Sequence, residues 1–245
     1  MKTLKILTAF LILTVLSFTG VVSIAKAKEQ DDKGPLTKIT FIHYKRDKNQ
    51  AKPGGGIKPG SITCYGYLAK GAKWKTAENF LVNSTSSNLD QNEVLQSMNA
   101  GITEWEKYGG SGIFGDGSLD NNVTYDETTY DGENTVSFGN YSQPDVIAVT
   151  NVWGYFGGAP QTRELIEWDM LFNTQFNWGD ATTAGNSVMD LQNIATHELG
   201  HSAGMNDLYT TSCNLETMYG YSLEGETSKR DLNAGDIKGI QGLYQ

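Results

Sequence analysis

The sequence is poor in basic residues, holds only two cysteines and shows no internal repeat or heptad run. Its 19 lysines and arginines stand against 28 aspartates and glutamates, which gives a formal net charge of −9. Because such a chain would repel phosphates, we expect no nucleic acid among its partners. The hydrophobic content of 38% and the aromatic content of 11% are typical of a globular fold, and 245 residues can form one well-buried core.

The longest apolar run lies at the N-terminus. Lys2 and Lys5 precede the apolar residues 6–25, and Ala25-Lys26-Ala27 has the small-x-small pattern of a signal-peptidase site. We therefore predict that residues 1–27 are an export signal and that the protein is secreted, extracellular or at the cell surface. Removal of this signal, with its three lysines, would change the net charge from −9 to −12. An uncleaved membrane anchor is the alternative, and without it we expect no stable membrane partner.

The two cysteines, Cys64 and Cys213, can form one disulfide. In an exported protein, an even pair of cysteines favours that bond, and two unpaired buried thiols are the alternative. The bond would close a long loop and would stabilise the fold by roughly 4–5 kcal/mol on the chain-entropy model.

The pattern along the chain divides it after residue 60. Residues 28–60 form a short N-terminal segment with a strand-like stretch at 38–44 and a Gly- and Pro-rich linker at 49–60. The sequence leaves open whether this segment is an inhibitory pro-segment. We place its histidine, His43, outside the main domain and interpret it as a surface or strand histidine.

Residues 61–245 have the pattern of one compact domain. Helical periodicity predicts helices at 90–108, 187–203 and 233–244, and strand-like runs occupy 134–138, 145–152 and 164–172. A helix, several strands and two further helices in this order predict a mixed α/β or α+β domain.

The stretch HELGH at 197–201 carries the strongest chemical signal. On a helix, His197 and His201 project from one face one turn apart, so both can reach the same metal ion. Glu198 is rotated by about 100° around the helix axis from His197. Its carboxylate would therefore lie beside a water bound to the ion and would not bind the ion itself. Two nitrogen ligands and one further protein ligand leave a position open on zinc, as a catalytic site requires.

The residues after the helix offer the third ligand. Gly204 can adopt a left-handed conformation and turn the chain back, which would bring Asp207 towards the ion. Alternatively, Asp207 is a turn or cap residue and Glu216 or Glu224 completes the site.

The segment HELGHSAGMND is similar to the metzincin signature HExxHxxGxxH. Thr217-Met218-Tyr219 resembles the Met-turn of the matrixin branch, and DIKGIQGLY at 236–244 resembles its closing helix. The strand end at 169–173, Lys73-Trp74 and Trp105 also fit that family, so the resemblance covers about residues 61–245.

The resemblance implies a twisted, mostly parallel five-stranded sheet with an antiparallel edge strand, and three helices. It implies a zinc-dependent endopeptidase in which His197, His201 and Asp207 hold the ion, Glu198 is the general base and Met218 lies beneath the metal. The polypeptide substrate would lie extended along an edge strand, with Tyr219 and Tyr221 bordering the pocket for the residue after the cut.

The sequence departs from the family pattern at three points. Asp207 replaces the usual histidine, and a carboxylate should make the metal-activated water less acidic. Cys64 lacks the Arg and Pro context of a cysteine switch, which disfavours it as a zinc ligand. Tyrosines stand one and three residues after Met218, so the tyrosine ligand of astacin-like branches is not indicated.

Three questions stay open at this stage. The acidic residues Asp116, Asp120, Asp126 and Asp131 could bind calcium, although without EF-hand spacing a solvated acidic loop is the stronger interpretation. A non-catalytic, metal-stabilised binding or cell-surface protein on a degenerate protease fold is the main alternative function, and zinc-dependent hydrolysis of an ester is another. The sequence does not determine the oligomeric state, for which we expect a monomer.

Overall fold

A computed structural model describes residues 33–46 and 63–245. The predicted signal at 1–27 and the predicted linker at 49–60 lie outside the described residues. Within these two ranges the strands are β1 (Leu36–Lys45), β2 (Phe80–Val82), β3 (Gly117–Leu119), β4 (Asn134–Gly139), β5 (Val146–Tyr155), β6 (Glu164–Asn173), β7 (Trp178–Gly179), β8 (Met189–Asp190) and β9 (Tyr221–Ser222). The longer helices are α1 (Gln91–Gly109), α2 (Leu191–Ser202) and α3 (Ala234–Tyr244), and Ala181–Ala184 forms a single turn.

The main sheet of the described chain has the strand order β3-β2-β4-β6-β5-β1-β9. Strands β3, β2, β4 and β6 are parallel, and β5 runs antiparallel to β6. These five strands form the predicted mostly parallel sheet with an antiparallel strand, and the α+β prediction is confirmed. The observed sheet differs from the predicted five-stranded sheet at its antiparallel end, where β1 and β9 add two further strands.

The N-terminal segment is where the structure corrects the sequence analysis. The strand predicted at 38–44 exists, but β1 is not separate from the domain, because it pairs antiparallel with β5 from Leu36 to Tyr44. It also pairs in parallel with β9 at Tyr44 and Lys45. Sequence periodicity predicts a strand but not its partner, which depends on residues far away in the chain.

The helices follow the predicted periodicity. Asp90 caps α1 by accepting a hydrogen bond from the Asn92 amide, and α2 starts at Leu191, four residues later than predicted, because Asp190 caps it. Helices α1 and α2 pack closely at Gly101, where a Cβ would lie 2.8 Å from Leu199 Cδ1. The indole nitrogen of Trp105 donates to the Thr196 carbonyl and ties α1 to α2.

The predicted disulfide is present. Cys64 and Cys213 are bonded, with their Cα atoms 5.4 Å apart and a sequence separation of 149. The bond joins the start of the domain to the loop before the Met-turn, and Cys64 is therefore not free to bind a metal. Separately, none of the helices in the described ranges has the length and apolar character needed to cross a membrane.

Removal of this disulfide should cost much of the stability of the fold. For the double variant Cys64→Ser/Cys213→Ser, we expect the free energy of unfolding to fall by about 4–5 kcal/mol, because a loop of this length loses its constraint in the unfolded chain. Denaturant titrations followed by circular dichroism will measure the change. In reductant, the free energy of unfolding of the unsubstituted chain should fall by a similar amount, and that of the double variant should not change. A double variant as stable as the parent would contradict a stabilising disulfide between Cys64 and Cys213.

Candidate metal centre

Helix α2 presents the two predicted histidines to one point. The Asp190 carboxylate caps the helix by accepting from the Asn193 amide at 2.8 Å and also pairs with Arg230, which fixes the start of the helix. His197 Nδ1 then donates to the Thr217 carbonyl at 2.7 Å, and His201 Nδ1 donates to the Met205 carbonyl at 3.1 Å. Since carbonyls only accept, each imidazole keeps the lone pair of its Nε2 for a metal.

Gly204 brings Asp207 to the same point. Its φ of 100° lies in the left-handed region, and a Cβ there would lie 2.4 Å from the Ala72 carbonyl oxygen, so the turn requires glycine. After the turn, the Leu208 amide donates to the Met218 carbonyl at 2.8 Å and holds this segment against the Met-turn. Asp207 thereby faces both histidines.

The three donor atoms have the spacing that zinc requires. His197 Nε2 and His201 Nε2 are 3.2 Å apart, and Asp207 Oδ1 lies 3.3 Å and 3.5 Å from them. Ligands about 2.0–2.2 Å from a tetrahedral zinc ion lie about 3.3–3.5 Å from one another. Asp207 Oδ1 is also buried with no hydrogen-bond donor among the described residues. The donor set therefore fits a zinc ion.

The charge states agree with this arrangement. Burial lowers the pKa of His197 to about 4, so its imidazole is neutral at neutral pH, as a metal ligand must be. Burial would raise the pKa of Asp207, but His201 and His197 beside it hold that pKa well below its usual range. Burial would lower the pKa of His201, but the Asp207 carboxylate beside it raises that pKa, so a metal ion would bind His201 in competition with a proton.

Glu198 lies beside the three donors and is held by two side chains. Its Oε2 accepts from the Thr150 hydroxyl of β5 at 2.6 Å, and its Oε1 accepts from His43 Nδ1 at 3.0 Å. Its pKa is raised, mainly by burial. Sequence analysis missed Thr150, although a threonine in the apolar run of β5 was the available signal.

The predicted Met-turn supports the centre from below. Met218 is fully buried, and a Cβ on Gly200 would lie 2.2 Å from its sulfur, so helix and turn are in close contact. The Asp236 carboxylate of α3 accepts from the Thr217 and Met218 amides at 2.6 Å and 3.2 Å. The closing helix thus fixes the turn, and the Thr217 carbonyl in turn orients His197.

Comparison with known protein families agrees with this construction. The sequence model of the matrixin family matches residues 73–245, more than half of the chain. The chain belongs to the matrixin family. Matrixins are zinc metallopeptidases, so its general function is that of a zinc metalloendopeptidase. A comparison with curated protein sequences finds no match.

The other candidate ligands of this matrixin are used elsewhere. Glu216 accepts from the Gly235 and Asp236 amides at the start of α3, and Glu224 pairs with Lys45. In the described residues, the acidic groups gathered closely enough for an ion are confined to the centre around α2. Asp116, Asp120, Asp126 and Asp131 are not gathered in this way, so calcium binding stays a prediction without support from the geometry.

His43 of the matrixin is a strand histidine, as one of the two sequence interpretations has it, but it lies buried at the centre and not at the surface. Its ring lies 3.9 Å from the His197 ring, and Phe41 stacks on His201 with 3.9 Å between ring centroids. Burial, followed by the nearby Lys229 charge, lowers the pKa of His43 to about 3, so it is neutral. The available signal was that His43 is one of only three histidines in the chain.

The predicted pocket tyrosines border the strand that covers the centre. Tyr221 belongs to β9 and pairs with Tyr44 of β1, and Tyr219 packs against Tyr221 at 5.7 Å between ring centroids. Tyr209, which sequence analysis missed, donates its hydroxyl to Asp207 Oδ2 at 3.1 Å. That bond leaves Oδ1 as the oxygen that faces the histidines.

Proposed function

We propose that this chain is an exported zinc-dependent endopeptidase in which Glu198 is the general base. The observation that carries the proposal is the separation of roles at the centre. Three donors have the mutual distances of a zinc site, while Glu198 stands outside that set, with a carboxylate oxygen within 4.8 Å of a ring nitrogen of His197. A site that serves structure alone would close its fourth position with a protein ligand.

Each residue of the centre would have a distinct role in the reaction. His197, His201 and Asp207 would hold the ion, which when bound supplies a Lewis acid for a water and for the scissile carbonyl. Glu198 would accept the proton of the attacking water at Oε1 and deliver it to the amine nitrogen of the departing product. Thr150 would keep Oε2 in place, so that the carboxylate presents one fixed oxygen to the reaction.

Export rests on the sequence of residues 1–27. The disulfide agrees with it, because such bonds persist in oxidising compartments. Polypeptides are the substrate class that the family implies.

Metal removal tests the function directly. We expect the zinc-loaded chain to hydrolyse casein and an internally quenched peptide, and a chelator to reduce the rate to background, because the donors alone cannot polarise a carbonyl. Addition of zinc should restore the rate. The assay should use both the intact chain and a sample after limited proteolysis, with an aryl ester as a parallel substrate.

The results separate the alternatives. Hydrolysis that is insensitive to the chelator would contradict the proposal. Tight zinc binding without hydrolysis in either sample would indicate the non-catalytic binding protein, and cleavage of the ester alone would indicate an esterase.

A further inference from the structure

The residue after the cut must lie against Glu198. In the proposed reaction this carboxylate delivers a proton to the departing amine, and that nitrogen belongs to the residue after the cut. The space beside Glu198 Oε1 is filled in the structure by the imidazole of His43, whose ring centroid lies 3.9 Å from that of His197. The groups on the far side of this imidazole therefore show what would surround a substrate side chain at that position.

Ser222 of β9 lies on the far side of that imidazole. Its side chain is buried, and its hydroxyl bonds His43 Nε2 at 3.0 Å and Lys229 Nζ at 2.8 Å. An ammonium group can only donate, so Ser222 Oγ accepts from Lys229 and has its single hydrogen left for the imidazole. The serine therefore presents a fixed hydrogen-bond donor to the space beside Glu198.

Lys229 is a buried cation that holds Ser222 in this state. It is 1% exposed, and it donates also to the Tyr221 carbonyl at 2.8 Å and to the Glu226 carboxylate at 3.0 Å. These three acceptors use the three donors of the ammonium group, so its orientation is fixed. Since two of the acceptors belong to the two residues of β9, Lys229 fixes the strand and the direction of the serine hydroxyl together.

Asn193 of helix α2 adds a second donor. It precedes His197 by one turn on the same face of the helix, and its Oδ1 accepts from the Lys229 amide at 2.7 Å. The side chain is 0% exposed, and its Nδ2 has no acceptor among the described residues. A buried donor without a partner is unfavourable, and an acceptor supplied by a ligand would satisfy it.

These surroundings offer donors rather than free acceptors. The Ser222 hydroxyl and the Asn193 amide group each have a hydrogen to give, and the carboxylate of Glu226 is already paired with Lys229. We propose that the pocket for the residue after the cut selects a side chain with an acceptor oxygen, that of Asp, Asn, Glu or Gln, and that Ser222 binds it. This inference rests on the proposed function of the same site. An apolar side chain would leave both donors buried and unpaired, so a site of this kind disfavours it.

Matched peptides test the selectivity. Three quenched peptides differ only in the residue after the cut, which is Asp, Asn or Leu, because these side chains are similar in size. For the zinc-loaded chain, intact and after limited proteolysis, we expect kcat/KM for the Asp or Asn peptide to exceed that for the Leu peptide at least about 10-fold. A higher value for Asp would identify the carboxylate as the preferred acceptor, and a higher value for Asn the carboxamide. A Leu peptide cleaved as fast as both would overturn the proposal.

The variant Ser222→Ala should lose this selectivity. The ratio of kcat/KM between the acceptor peptide and the Leu peptide should fall at least about 10-fold, because the donor is gone and leucine no longer leaves a hydroxyl unpaired. Each ratio is measured within one sample, so a smaller folded fraction cancels. Ser118→Ala is the matched control, since Ser118 is exposed in β3 at the opposite edge of the sheet from β9. An unchanged ratio in Ser222→Ala would overturn the role of Ser222.

A binding measurement separates this proposal from the proposed function. Fluorescent product peptides that begin with Asp, Asn or Leu need no hydrolysis to bind the zinc-loaded chain in the same two samples. The Asp or Asn peptide should bind at least about 10-fold more tightly than the Leu peptide, and Ser222→Ala should abolish the difference. This preference without cleavage of any quenched peptide would support the pocket and contradict the peptidase. Cleavage without a preference in rate or binding would overturn the pocket alone, and absence of both cleavage and binding would overturn both.

Discussion

Replacement of Glu198 by glutamine should lower peptide hydrolysis by about 10²–10⁴-fold, the usual contribution of a general base, while zinc stays bound. Glutamine has the shape of glutamate and can still accept from Thr150, but it cannot take a proton from water. Glu198 is not one of the three donors, whose mutual distances of 3.2–3.5 Å do not involve it. The substitution should therefore lower the rate of hydrolysis and leave the zinc content unchanged.

The measurement is the rate on a quenched peptide, compared with the zinc content per chain. Because β1 covers the centre, both quantities should be determined on the intact chain and on a sample after limited proteolysis. Glu133→Gln is the matched control, since Glu133 is exposed and far from the centre in the sheet. A Glu198→Gln variant with the rate of the parent would remove Glu198 from the mechanism.

Replacement of Asp207 by asparagine should weaken zinc binding by more than about 100-fold. Changes to groups that only orient a ligand cost about 10–100-fold in metal affinity, so loss of an anionic ligand should cost more. The carboxylate is the only negative charge among the three donors, and its Oδ1 is the buried atom that faces both histidines. Asparagine keeps the size of the side chain but offers a neutral and weaker oxygen.

Competition with a chromophoric chelator will measure the affinity of each variant. Asp231→Asn makes the same chemical change at an exposed position and should leave the affinity as it is. If Asp207→Asn binds zinc as tightly as the parent, another group supplies the third ligand. Among the described residues, Glu216 and Glu224 are engaged elsewhere, so His43 and Glu198, which form a second metal-capable group with His197, would be the groups to test next.

The local parts of the centre could be predicted from the sequence. His197 and His201 lie one turn apart on a single helix, so their common direction follows from helical geometry. Gly204 and Asp207 follow within a few residues, and the left-handed turn at Gly204 needs no distant partner to be anticipated. The Met-turn and the closing helix were recognised by their resemblance to matrixins, and the bonds of Asp236 to the turn give the physical reason for that pattern.

The covering strand could not be predicted in the same way. Residues 38–44 have the composition of a strand. His43 and Glu198 are 155 residues apart in sequence, however, and no local sequence pattern predicts their contact. Thr150 is likewise 48 residues from Glu198. Which edge a strand joins depends on the unpaired backbone groups and side chains that the rest of the fold leaves there.

By itself, the sequence determined the helices, the pairing of His197 with His201 and the turn that returns Asp207, because each depends on residues within a few positions of one another. Only the tertiary structure decided that β1 lies between β5 and β9, with Phe41 and His43 on the rings of His201 and His197. The physical reason is that backbone pairing is nearly independent of sequence, so the partner of a strand is selected by the shape and the side chains of a slot that exists only after the domain has folded.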